Sequence, residues 1–148
     1  MKTIATNKKA SHLYYLHDRY EAGIALKGTE IKSIRAGKIS LQDSYVRIRN
    51  HEAYIINMHI APYTHGNIHN HEETRKRKLL LHKQELIRLD KKLATDNFVL
   101  IPTKVYLKDG LCKIEVALAK GKKLYDKRQS LKDKDVKRRL EKQLTPKH

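Results

Sequence analysis

Residues Tyr20–Lys38 read YEAGIALKGTEIKSIRAGK, and the reading of this stretch decides the fold. Tyr20, Ala22, Ile24 and Leu26 alternate with Glu21, Gly23, Ala25 and Lys27, the period of a strand with one buried face. Gly28 interrupts the strand, Thr29 can cap a helix, and Glu30 stands where a helix dipole favours an anion. Ile31 and Ile34 share one helix face, with Lys32 and Arg35 turned elsewhere. Gly37 ends the helix, because glycine turns left-handed without a steric cost. A short helix should therefore plug an apolar sheet and show cations to solvent. Taken alone, a plain strand–helix corner with solvated lysines explains the stretch equally well.

The flanking chain supplies more sheet. Met1–Ser11 is polar and basic and reads as an extended lead-in or a short turn; strand material begins at His12. Beyond the connector Ile39–Asp43, Val46 and Ile48 alternate with Tyr45, Arg47 and Arg49, a half-buried strand with a basic outer face. Asn50, His51 and Glu52 supply a turn, and Tyr54, Ile56, Met58 and Ile60 return as the partner strand, ended by Pro62. A second hairpin pairs Val99, Ile101, Thr103, Val105 and Leu107 with Cys112, Ile114, Val116 and Leu118 around Asp109-Gly110. Pro102 belongs at an edge or a bulge, since it cannot donate to a ladder. The fold expected is mainly β with flanking helices, a small antiparallel β-barrel of the oligonucleotide-binding type.

Charge points to the partner. The 148 residues carry 33 Lys+Arg against 16 Asp+Glu, a net +17, in a chain long enough for one domain with its own core. Such an excess calls for a polyanion, because lysine and arginine release counterions from phosphates. A membrane surface is the competing polyanion, but there is no span-length apolar run and no basic helix with an aromatic face, so no membrane partner is expected. The start lacks a signal-peptide core, and Cys112 stands alone, which fits a reducing cytoplasm.

Two polar stretches invite chemistry. Tyr63–Thr74 holds His65, His69 and His71, which could converge on a metal. Without cysteines or a placed fourth ligand, a hydrated histidine-rich loop explains them better, and no metal or cofactor is expected. Arg75, Lys76, Arg77 and Lys78 lead into Leu79, Leu80 and Leu81, followed by a helix with Leu86, Leu89 and Leu93 at core spacing. Cations at a helix start oppose the dipole, so the run suggests a phosphate clamp.

Everything changes after Ala119. Residues 120–148 carry 12 Lys+Arg against 4 Asp+Glu and few aliphatic side chains. Such a tail cannot offset its own ordering entropy and should be disordered alone, although Val136, Leu140 and Leu144 allow a helix once a polyanion neutralises it. The division expected is a β-barrel RNA-binding body, 1–119, and a basic tail, 120–148.

Taken together, these segments resemble the SsrA-binding proteins (small protein B), partners of bacterial transfer-messenger RNA. The likeness runs through Asn7-Lys8-Lys9-Ala10, Glu21–Lys38, Asp43-Ser44-Tyr45, His59–Tyr63, Arg75–Leu81 and ALAKGKKLYDKR at Ala117–Arg128, in order and at the right spacing. It implies a non-enzymatic adaptor, monomeric when free, that carries transfer-messenger RNA by its transfer-RNA-like domain to stalled ribosomes. It also implies a tail that enters the empty messenger channel beside the decoding centre of the small subunit. Carried over position by position, the RNA-facing candidates are Asn7, Glu21, Leu80 and Lys113. Charge adds Lys8, Lys32, Arg35, Lys38, Arg75, Arg77 and Lys78. In the tail, Lys120, Gly121, Lys122, Lys123, Asp126, Lys127 and Arg128 match the ribosome-contacting segment, and Tyr125 could stack on a ribosomal base. Leu111 stands where relatives often carry Trp, and Asn97 where many carry Gly; Asn tolerates the same left-handed turn. Two other readings compete: a nuclease using His69, His71 and Glu72 or Glu73, and a ribosomal structural protein with the same charge.

Overall fold

The computed structural model describes residues 1–63, 70–95, 97–122 and 128. The elements run β1 (Lys2–Thr6), α1 (Ala10–Leu13), β2 (Tyr14–Ile24), α2 (Gly28–Arg35), β3 (Ile39–Ser40), β4 (Tyr45–Arg49), β5 (Glu52–Ile56), β6 (His59–Ile60), β7 (Arg77–Leu80), α3 (Lys83–Thr95), β8 (Val99–Lys108) and β9 (Leu111–Gly121). The chain is mainly β with a few helices. In the main sheet the order is β1-β8-β4-β5-β7-β2-β9, all antiparallel, and β9 pairs back onto β8. Strands β3 and β6 form a separate two-stranded ribbon.

Both expected hairpins form, each on two left-handed residues. Asn50 and His51 have φ of 53° and 60°, and Asp109 and Gly110 have 52° and 76°, the mirror-image turns whose twist suits a hairpin. Asn97 is left-handed at φ 55°, as expected of a glycine substitute.

Two expected alternations break, each for a local reason. The run Tyr54, Ile56, Met58, Ile60 does not share one face. Ala53 and Ile55 are buried in β5, and left-handed Asn57 (φ 65°) resets the pleat so that Met58 and Ile60 are buried next. In β8 the register shifts between Pro102 and Lys104, the bulge that Pro102 predicted. Leu100 therefore points into the main core while Ile101 packs with Ala10 and Ala119 on the other side; beyond the bulge Val105 is the inward residue.

Three other expectations need correcting. The lead-in is extended, as one of its two readings had it, but strand material begins well before His12: Lys2–Thr6 is β1, paired with β8, and a short helix, α1, precedes β2. The basic run is not a helix start: Arg77–Leu80 is strand β7, and α3 begins only at Lys83. Helix α2 is capped at Lys27 rather than Thr29; the Lys27 N–H donates to Glu30 Oε1 at 2.8 Å.

The core is filled from the strands by Ile55, Leu79, Leu100, Ile114, Val116 and Leu118, and plugged by Ile34 of α2 and Leu89 of α3, all fully or almost fully buried. Leu89→Ala would cost about 2–5 kcal/mol on general grounds.

Candidate nucleic-acid interface

On the outer side of β2 and β9 the sequence candidates meet. Gly23 of β2 faces Leu80 of β7 on one flank and Lys113 of β9 on the other. Two residues back, Glu21 lies opposite Glu115, and Lys113 lies opposite Tyr106 of β8. The Tyr106 hydroxyl donates to Glu21 Oε2 at 2.5 Å, and Lys108 Nζ stands 3.5 Å from the same oxygen. That hydrogen bond, helped by Lys108 and Lys113, holds the Glu21 carboxyl below its usual pKa. Burial, then the neighbouring Glu21, pushes the Tyr106 phenol far above its usual pKa. Leu80, the last residue of β7, is 54% exposed although Leu79 before it is buried. The result is a charged acceptor, a cation and an apolar side chain around a glycine, an arrangement that can take a nucleotide's hydrogen-bond donors, its phosphate and its sugar or base face. Sequence reading placed Glu21, Leu80 and Lys113 but missed Tyr106 and Lys108.

The basic run divides by strand period. Arg77 is a correction: it has no accessible surface and cannot touch RNA. Its Nε donates to Glu30 Oε2, Nη1 to the Met58 carbonyl at 2.7 Å, and Nη2 to the carbonyls of Glu72 and Glu73. Glu30, itself fully buried, also accepts from Arg75 Nη2 at 2.7 Å. Burial opposes ionisation of Glu30, but the hydrogen bonds from Arg75, the Lys27 N–H and Arg77 outweigh it and leave the carboxyl below its usual pKa. Arg75 is thus a partner of the fold, with 28% of its side chain exposed. Lys76 and Lys78 face outward.

His71 is also part of this inner network. It is buried, Nε2 donates to the Ile60 carbonyl at 2.9 Å, and Nδ1 shares a hydrogen bond with the Thr29 hydroxyl at 2.9 Å. Both ring nitrogens are committed, which removes His71 from the metal and nuclease readings. His65 and His69 lie outside the described residues. Glu73 Oε2 is 2.8 Å from His59 Nε2. Among the described residues no three His, Cys, Asp or Glu side chains cluster to hold a metal.

A family model described as SmpB protein matches residues 4–146. The chain belongs to the SmpB family. It is 53% identical over 147 residues to the SsrA-binding protein of Caldanaerobacter subterraneus, covering 99% of this chain and 93% of that one. The SsrA-binding protein of Persephonella marina is 55% identical, over 96% of this chain and 93% of the relative. A solved structure described as "tmRNA-SmpB: a journey to the center of the bacterial ribosome" superposes with a TM-score of 0.69 at 44% identity, covering 86% of this chain and 93% of that chain.

The remaining residues carried over from the SmpB family are spread around the body. Asn7 is half-buried and serves the β8 bulge: Nδ2 donates to the Pro102 carbonyl at 2.9 Å and its backbone N–H to the Thr103 carbonyl at 2.7 Å. Lys8, Arg35 and Lys38 are exposed, and Lys32 Nζ lies 5.2 Å from the Tyr63 ring centre. Leu111 is 59% exposed on the side of Lys113. The expected tail starts inside the sheet: Lys120 and Gly121 pair with Tyr15 and Tyr14, and the Lys122 N–H donates to the Leu13 carbonyl at 2.9 Å. Arg128 is exposed; Lys123, Tyr125, Asp126 and Lys127 lie outside the described residues. No helix among the described residues is long and apolar enough to cross a membrane.

Proposed function

We propose that this chain is an RNA-binding adaptor of trans-translation. It binds the transfer-RNA-like domain of transfer-messenger RNA and delivers it to stalled bacterial ribosomes, without catalysing a reaction and without a cofactor. One observation supports this above all: in a chain whose relatives are named SsrA-binding proteins, Glu21, Lys113 and Leu80 converge around Gly23 with Glu21 fixed by Tyr106. An acid fixed in its charged form within a strongly basic surface is a poor choice for phosphate and a good one for a base amino group or a 2′-hydroxyl.

The pairing circuit through β8, β4, β5, β7, β2 and β9 back to β8 supports reading the body as a closed barrel of the oligonucleotide-binding type. Lys8, Lys32, Arg35, Lys38 and Lys78 supply its salt-dependent phosphate contacts. The segment beyond the sheet is a basic tail that senses the empty messenger channel, becoming helical on the ribosome in the bacterial cytoplasm.

The test is recovery and sequencing of the RNA bound in cells, with binding titrations of two variants. Transfer-messenger RNA should dominate, and Glu21→Ala should weaken its binding more than Lys32→Ala at every salt concentration. Recovery of mainly ribosomal RNA, or Lys32→Ala as the more damaging change, overturns the reading.

A further inference from the structure

The Glu21 site has a neighbour built on the same plan. Thr103 of β8 is buried, and its hydroxyl donates to Glu115 Oε2 of β9 at 2.5 Å. The same oxygen accepts from Arg19 Nη1 of β2 at 3.1 Å. In the Glu21 site, likewise, a β8 hydroxyl from Tyr106 donates to a carboxylate oxygen that stands against a cation, Lys108. Glu115 is directly opposite Glu21 in the ladder, so the two units lie side by side. Side chains alternate along a strand, so Arg19 and Glu21 of β2 project from one face, and Glu115 shares it.

The bulge in β8 makes the second unit possible. Pro102 pairs with Val116 and Lys104 with Glu115, so Thr103 has no partner in the ladder and its hydroxyl is turned to the Glu115 carboxylate. Burial then separates the two ends. Thr103 is 6% exposed and the Glu115 side chain 19%, whereas the Arg19 side chain is 53% exposed. The carboxylate is anchored on its buried side and holds the guanidinium at the surface. An exposed ion pair of this kind adds little to stability. It also places a second acid on a face whose partner is a polyanion, where charge alone weakens binding. What Glu115 supplies is orientation.

We propose that Arg19 is a further contact of the transfer-messenger RNA face, gripping a backbone phosphate with the guanidinium edge that Glu115 leaves open, and that Glu115 and Thr103 are its positioning residues. The guanidinium carries more N–H donors than Glu115 uses, in a rigid fork that fits a phosphate with two of them. Held in one orientation, that fork loses less freedom on binding than a swinging cation does. Arg19 and Glu21 are about 7 Å apart along β2, so a nucleotide read by Glu21 brings its own backbone within reach of Arg19. This deepens the adaptor reading and rests on it.

The test measures affinity for transfer-messenger RNA across a salt series, with thermal unfolding to verify each fold. Arg19→Ala should bind roughly tenfold more weakly, with the salt slope reduced by about one. Arg19→Lys should keep the slope and still lose about fivefold, because the fork is gone. Glu115→Gln removes a negative charge, which by itself tightens binding; positioning predicts the opposite sign, a loss of about threefold. Thr103→Val changes no charge and should cost about twofold to threefold. Neither loss should persist in the Arg19→Ala background. Arg88→Ala, a charge-matched control at an exposed position of α3, should stay within about twofold of wild type. Arg19→Lys equal to wild type, tighter binding by Glu115→Gln, losses that add to that of Arg19→Ala, or an Arg19→Ala no weaker than Arg88→Ala would each overturn the proposal. Failure of the adaptor reading is distinguishable: wild type itself would not bind transfer-messenger RNA.

Discussion

Tyr106 reaches over an intervening strand to hold Glu21. The two residues belong to β8 and β2, which do not pair; β9 lies between them, and the hydroxyl still donates to Glu21 Oε2 at 2.5 Å. Tyr106 is only 3% exposed, so the ring is locked by packing and the carboxylate is aimed rather than free to swing. Tyr106→Phe should leave the fold within about 1 kcal/mol of wild type, since Glu21 can turn to water. The Glu21 pKa should rise towards its ordinary value, because its main lowering partner is gone. Affinity for transfer-messenger RNA should fall several-fold. Carboxyl NMR titration and an RNA-binding curve check both arms; unchanged affinity with a raised pKa would show that Glu21 does not need aiming.

Arg77 and Glu30 form the fully buried pair of the molecule's polar centre. Arg77→Met leaves Glu30 with Arg75 as its remaining cation at a position with no solvent exposure, and general experience with such pairs puts the loss at about 3–5 kcal/mol. Arg75→Ala, at a partly exposed position, should cost less, about 1–3 kcal/mol. Urea unfolding measures both. RNA affinity per folded molecule should be unchanged by Arg77→Met, since the side chain never reaches the surface. A large loss of RNA binding at full stability would contradict this assignment.

The run Arg75–Lys78 also shows how far the sequence could be read. Four cations before three leucines suggested a helix start, and only strand period separates Arg77, in phase with buried Leu79, from outward Lys76 and Lys78. That signal was present in the residues but spans four positions, too few to distinguish from a helical turn. Both hairpins, the α2 corner and the Pro102 bulge were legible because turn chemistry is local. The parity resets at Asn57 and Thr103 were not, because a single residue at a bend moves every later side chain to the other face. Glu21, Leu80 and Lys113 came from family likeness. Tyr106 had no sequence signal, since its partner lies 85 residues away.

Glu30 should also govern acid stability. Its pKa in the folded chain is lowered from an ordinary value of 4.5, so the unfolded chain takes up the proton more readily. The stability it contributes is complete above about pH 4.5 and is lost as pH falls through the lowered value. Glu30→Gln should be less stable than wild type at pH 7 and should lose less of its remaining stability on acidification. Chemical unfolding at a series of pH values from 7 to about 3 checks the sign. Parallel curves for the two proteins would mean that other carboxylates carry the acid limb.

The tail boundary should be placed by the ladder rather than by composition. Lys120 and Gly121 pair with Tyr15 and Tyr14, and Lys122 donates to Leu13, so truncation after Ala119 would strip an edge from β2. Truncation after Lys122 should keep transfer-messenger RNA binding within about twofold and abolish tagging on stalled ribosomes. Truncation after Ala119 should in addition lower the unfolding temperature by several degrees. Equal loss of RNA binding and tagging in the longer variant would refute the separation of body and tail.

Gly23 offers a last test of the RNA-facing surface. A Cβ built there would stand 3.3 Å from the Leu80 Cβ and 3.5 Å from its Cδ1, so alanine must push Leu80 aside by a few tenths of an ångström. Against that crowding, alanine stabilises by about 0.4–1 kcal/mol through the unfolded chain. Gly23→Ala should therefore change stability little and still weaken RNA binding several-fold, because it moves Leu80 and fills the floor between Glu21 and Lys113. A double-mutant cycle with Leu80→Ala separates these effects. If the displaced leucine is the cause, the two changes should be strongly non-additive in binding, with a coupling of about 0.5–3 kcal/mol. Additive losses would mean that the alanine methyl itself obstructs the RNA.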